Sequence, residues 1–131
     1  MSYAMSVTLD RPFDDVVTEV RDALAGQGFG VVSEIDMQAT LRTKLGVEIE
    51  RQLILGACNP GYAHRSLQVD PSIGLLLPCN VVIRSTDAST VVEMINPQML
   101  VQVTENPDMQ QIAHEVTEKL ESAMGTLRGA A

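Results

Sequence analysis

The end of the chain carries Met109, Ile112, Ala113, Val116, Leu120, Ala123, Met124 and Leu127 at the three- and four-residue spacing of one helical face, and this stripe constrains the fold more than any other feature. A helix apolar along one side has to bury that side. The same demand arises near the start, where Phe13, Val16, Val17, Val20 and Leu24 form a second stripe while Asp14, Asp15, Glu19 and Asp22 occupy the outer face. Asp10-Arg11-Pro12 is a start signal for that helix, since proline at the first turn gives up only an N–H that has no partner there. Gly26 and Gly28 stop it, because glycine tolerates the left-handed backbone that closes a helix.

One strand precedes the first helix and others fill the interval between the two. Tyr3 to Leu9 alternates weakly, and Phe29, Val31, Ile35 and Met37 alternate with Gly30, Glu34 and Asp36 at the period of a half-buried strand. Met37 to Gly46 reads as a short helix capped by Asp36, with Leu41 and Leu45 one turn apart. Arg51 to Ala57 is a third strand. Asn59-Pro60 then opens a short helix to about residue 69, with Asn59 as its cap, and Asp70-Pro71 ends it. Ser72-Ile73-Gly74 turns the chain into Leu75-Leu76-Leu77-Pro78, where Pro78 argues for a bulge or an edge rather than a central strand. Cys79 to Ser85 and Thr90 to Ile95 form an antiparallel hairpin around Thr86-Asp87-Ala88-Ser89. After a short Val101 to Thr104 segment, Asn106-Pro107 opens the final helix. The order β-α-β-β-β-β-α, with small inserted helices, predicts a single α+β domain over residues 1–131, an antiparallel sheet with helices on one face.

Composition narrows the function. Hydrophobic residues make up 45% of the chain and aromatics only 3%, so the core has to be aliphatic and methionine-rich. Nine Lys and Arg against 17 Asp and Glu leave a net charge of -8, which argues against nucleic acid as a partner, since such binders rely on clustered basic charge. No apolar run approaches the ~20 residues that span a bilayer, and the first residues lack a basic and then apolar leader pattern, so a soluble cytoplasmic protein with no membrane partner is expected. In that compartment the two cysteines are expected as reduced thiols.

Those cysteines, Cys58 and Cys79, are each followed by asparagine, Asn59 and Asn80, and each pair lies at a Gly- or Pro-marked break where a strand ends or begins. If the third and fourth strands are antiparallel neighbours, both pairs arrive at one end of the sheet. Cys58 then lies just before a helix start, where free backbone N–H groups and the helix dipole favour negative charge, either a thiolate or an anionic ligand. Asn59 and Asn80 would add hydrogen bonds at the rim, and His64, one turn into the helix, would face the pocket. Each residue also has a plain structural explanation: buried packing for the thiols, a cap for Asn59, a turn for Asn80, and a surface position for His64.

Ile54-Leu55-Gly56-Ala57-Cys58-Asn59-Pro60, Asp70-Pro71, and Ile73 through Val81, with Gly28-Phe29-Gly30-Val31 and Leu45-Gly46 upstream, resemble the motifs of the bacterial and archaeal family called domain of unknown function 302. The resemblance runs from about Tyr3 to Leu127. It implies a fold similar to the TATA-binding-protein-like arrangement and a homodimer, and it implies no activity. DNA binding does not follow from the fold analogy, because function follows the site and this chain is acidic. One departure from the family pattern is Gln52-Leu53, where an aromatic is expected shortly before Leu55.

The expected function is a small homodimeric binding module that holds a small molecule or an anion at Cys58, Asn59, Cys79, Asn80 and His64. The alternative is a thiol enzyme or redox sensor with Cys58 as nucleophile and Cys79 as its resolving partner. No catalytic residue is assigned beyond that alternative. No metal or cofactor is expected, since Cys58, Cys79 and His64 supply at most three ligands with no closely spaced cysteine pair. His114, with Glu118 one turn on, and the Asp14-Asp15 pair read as solvated faces. The Gly26-Gln27-Gly28-Phe29-Gly30 run follows a helix and precedes a strand, the reverse of the order a phosphate-binding loop needs.

Overall fold

Both amphipathic stripes find their partner on one face of a single sheet. The computed structural model describes residues 2–129. Its elements are β1 (Ala4–Leu9), α1 (Phe13–Ala25), β2 (Gly30–Asp36), α2 (Met37–Leu45), β3 (Gln52–Cys58), α3 (Pro60–Val69), β4 (Cys79–Ser85), β5 (Thr90–Ile95), α4 (Gln98–Thr104) and α5 (Gln110–Gly129), with 3-10 turns at Pro71–Leu76 and Pro107–Met109. The sheet is antiparallel throughout, in the order β1-β5-β4-β3-β2.

Register sets the buried face. Leu55, Val81, Met94 and Met5 form one cross-strand row, and Leu53, Ile83, Val92 and Val7 form the next. Because opposed residues share a face, these rows give α1 and α5 a continuous aliphatic floor. Val16, Val20 and Leu24 of α1, and Leu120, Ala123 and Met124 of α5, are almost completely removed from solvent on it. Arg11 fastens the far end: its guanidinium donates to the Leu127 carbonyl at 2.8 Å and pairs with Glu19 at 3.0 Å.

The short helix after β2 is delimited by local chemistry. The Asp36 side chain accepts from the Ala39 N–H at 2.9 Å, and Gly46 closes α2 with φ at 67°. The alternation read across β2 is interrupted. A bulge between Val31 and Ser33 moves the strand out of phase, so Val31 opposes Ala57 on the core face while Ile35 opposes Ile54 on the open face and stays 47% exposed. The Val101 to Thr104 segment is the second half of α4, and the turn at Ser72 to Gly74 is part of a 3-10 stretch.

Candidate functional site

Cys58 is the last residue of β3 and Cys79 the first of β4, so the antiparallel pairing of these strands brings the two to one end of the sheet. Ala57 directly opposes Cys79, which places Cys58 one step along from that pair. By strand alternation Cys79 shares the face of Ala57 and Cys58 takes the other, so the two thiols reach a common cavity from opposite sides of the ladder's end. Both thiols are free and half-buried. They line one cavity of about 30 Å³, whose walls include Phe29, Tyr62, Pro78 and Ile112. That space suits a single water molecule and little else.

The two thiols are not equivalent. Burial, and secondarily the charge on Cys58, pushes the Cys79 thiol from its ordinary 9.0 up to about 11. Cys79 therefore keeps its proton at neutral pH. Cys58 lies beside the start of α3, whose first N–H is absent because Pro60 is the first helical residue.

Asn59 holds the cap position of α3, yet its side chain makes no capping bond, which corrects the cap expected from the Asn-Pro sequence. Its amide instead points to the α1–β2 loop and donates to the Gln27 carbonyl at 3.5 Å. Gly28 makes that approach possible: its φ is 83°, and a Cβ there would lie 3.0 Å from Asn59 Nδ2. Asn59 thus borders the thiol cavity while tying the loop to the helix.

The expected convergence of all five side chains does not occur. Strand alternation sends Asn80 to the face opposite Cys79, where it is exposed and lines a separate groove of about 430 Å³. His64 is exposed on α3 and contributes nothing to the cavity wall. Cys58, Asn59 and Cys79 come together, and Asn80 and His64 stand apart from them. His114 pairs with Glu118 at 2.9 Å on the exposed side of α5. Among the described residues, no three His, Cys, Asp or Glu side chains form a group that could hold a metal ion.

Two features of this region lie outside the sequence reading. The Leu77-Pro78 peptide is cis, and the Pro78 ring packs over Gly56, where a Cβ would fall on Ser33 Oγ and lie 2.6 Å from Pro78 Cγ. A cluster also fixes α3 to α5. The Tyr62 hydroxyl donates to Glu115 Oε1 at 3.2 Å, the Arg65 guanidinium donates to both carboxylate oxygens at 3.2 and 3.3 Å, and Gln111 adds a bond of 3.0 Å. Hydrogen bonding from Arg65 and then Gln111 holds the Glu115 carboxyl down at about 2. Tyr62 and Arg65 are three apart on α3, a visible helical pair, but nothing local marks Glu115 as their acceptor.

Comparison with known proteins places this geometry in a family. Residues 5–127 match the family described as Domain of unknown function DUF302. A crystal structure of an uncharacterized conserved DUF302 protein from Bacillus stearothermophilus is similar, with 25% sequence identity, a TM-score of 0.89, and coverage of 96% of this chain and 98% of that one. No curated protein matches the chain. Among the described residues, no helix is long and apolar enough to cross a membrane.

Proposed function

The chain belongs to the DUF302 family, whose description assigns no activity, and from the geometry of the site we propose that the domain is a thiol-based redox module with Cys58 as the reacting sulfur and Cys79 as its resolving partner. One observation carries this reading: two free cysteines from adjacent strands share a cavity with room for one water. A cavity that small accommodates chemistry between the sulfurs better than a bound metabolite. The raised Cys79 thiol sets the order of events, since the thiolate is the nucleophile and Cys79 stays protonated.

The step balances with a hydroperoxide as oxidant. Cys58 attacks the peroxide oxygen, giving a sulfenic acid and releasing an alcohol or water. The Cys79 thiol then attacks the sulfenic sulfur, and a disulfide and a second water form. Two electrons pass from the thiol pair to the peroxide. Treating the reduced domain with hydrogen peroxide should remove two hydrogens from its intact mass. Cys79→Ser should leave a sulfenic acid at residue 58 that dimedone traps, and Cys58→Ser should give neither product. Oxidation of Cys58 no faster than that of free cysteine would refute the proposal.

A homodimer belongs to the same proposal. Its support is the β2 side of the molecule, where Val32 and Ile35 are exposed and α2 buries none of its side chains. Sedimentation at micromolar concentration should give a dimer that Ile35→Glu dissociates, and a monomeric parent chain would remove this part.

A further inference from the structure

We infer that the groove on the open side of the sheet is a second ligand site, separate from the thiols, built for a neutral small molecule with an aliphatic body and one hydrogen-bonding head group. The groove encloses about 430 Å³, within the roughly 300–1,000 Å³ typical of small-molecule pockets. Leu75, Leu76, Leu77, Ile95, Met99 and Val103 form most of its wall. No Asp, Glu, Lys or Arg lines it, although such residues are 20% of this chain. That absence selects against a charged occupant, since a charge would lose hydration there without gaining a counter-ion.

Two residues that carry polar side-chain groups, Asn80 and Tyr3, stand in this apolar wall. Neither has a side-chain hydrogen-bond partner among the described residues, so each is available to a ligand. Asn80, Tyr3 and Ile95 also line an adjoining space of about 260 Å³ over the sheet, whose single charged lining residue, Glu93, is paired with Arg84 at 2.8 Å, so the polar end opens toward further volume. The apolar rim is left in water: Leu75 is 88% exposed, Tyr3 69% and Val103 58%. An aliphatic occupant would cover these side chains and place its head group at Asn80. This site does not rest on the redox proposal. The two spaces share only a wall, formed by Leu77, Pro78 and Leu100.

The probe for the test is N-phenyl-1-naphthylamine, a neutral aromatic amine whose fluorescence rises in apolar surroundings, titrated into the whole chain. Saturable enhancement is expected, displaced by octanamide and at least tenfold less well by octanoate at pH 8. Val103→Glu and Leu75→Glu, both at exposed positions, should weaken the probe at least tenfold while circular dichroism and Tm stay unchanged. Asn80→Ala should weaken octanamide about fivefold, the loss of one hydrogen bond. Failure to saturate, equal competition by octanoate, or full binding by Val103→Glu would overturn the inference. So would a parent chain that sediments as a dimer and becomes monomeric in Val103→Glu, because a second copy would then be the occupant.

Discussion

Cys79 alone should be a slow thiol, and the structure says by how much. In a Cys58→Ser variant only Cys79 remains, and its main perturbation, burial, is untouched, while the smaller contribution from a charged Cys58 disappears. In the parent chain the rise from 9.0 to about 11 lowers the thiolate fraction about a hundredfold at pH 8, which is the ceiling for the variant, since the variant keeps only the burial part. The more basic thiolate is intrinsically more nucleophilic, with a slope of about 0.4–0.5, which recovers roughly six- to tenfold. The net expectation is a rate up to about tenfold below that of the same thiol in the unfolded chain, before any loss of access. The assay is thiol–disulfide exchange with Ellman's reagent under pseudo-first-order conditions, comparing the folded variant with the variant in urea. The folded rate should still climb about tenfold per pH unit at pH 9.5, where the unfolded thiol is levelling off. A stability change accompanies it. The folded chain holds this proton more tightly than the unfolded chain, so the contribution is complete below pH 9 and is lost as pH rises to about 11. A hundredfold difference in proton affinity corresponds to about 2.7 kcal/mol, the upper bound for the variant. A folded variant that reacts within threefold of the unfolded one would refute the argument that burial controls this thiol.

Glu115 gives the opposite pH signature: its carboxyl sits near 2 instead of 4.5, so the stability it contributes is complete above 4.5 and is lost as pH falls toward 2. Urea midpoints measured across that interval should decline less steeply in Glu115→Gln than in the parent. Gly56→Ala should destabilise by about 1–3 kcal/mol, because the added methyl meets Ser33 and the Pro78 ring, and an unchanged chemical denaturation midpoint would contradict the packing. Leu120→Ala removes a fully buried side chain where α5 meets the sheet and should cost about 2–5 kcal/mol by the same measurement.

What the sequence made legible follows from the range of the interactions involved. Periodicity revealed α1 and α5 because a helix repeats its burial every turn, and the Asp36 cap and Gly46 stop of α2 were readable because both act within a few residues. The meeting of Cys58 and Cys79 was readable because antiparallel pairing of consecutive strands fixes which ends coincide. Alternation also governs Asn80, and it separates Asn80 from its neighbour Cys79; a shared dipeptide suggests a shared site, and a strand denies it. Ile35 was misplaced by one extra residue, since a bulge reverses the phase of everything beyond it and leaves little local trace around Val32. The Asn59 cap failed through competition, as its amide found the Gln27 carbonyl, a partner fixed only once α1, β2 and β3 are assembled. Glu115 and Arg65 are 50 positions apart, and no spacing rule connects them.

Gly56 joins these observations into one argument about how the site end of the sheet is built. The residue faces away from the helices and opposes Asn80 across the ladder, and having no side chain it lets the Pro78 ring settle onto the strand. Pro78 in turn belongs to the wall between the thiol cavity and the groove, together with Leu77 and Leu100. A side chain at position 56 would push that wall while leaving every cysteine, Asn80 and Tyr3 chemically intact. Gly56→Ala should therefore disturb Cys79 reactivity and probe binding in the groove together, whereas Cys79→Ser should spare the groove and Val103→Glu should spare the thiols. If Gly56→Ala altered only one of the two, the shared wall would not be rigid enough to couple them, and the two spaces would have to be treated as mechanically separate.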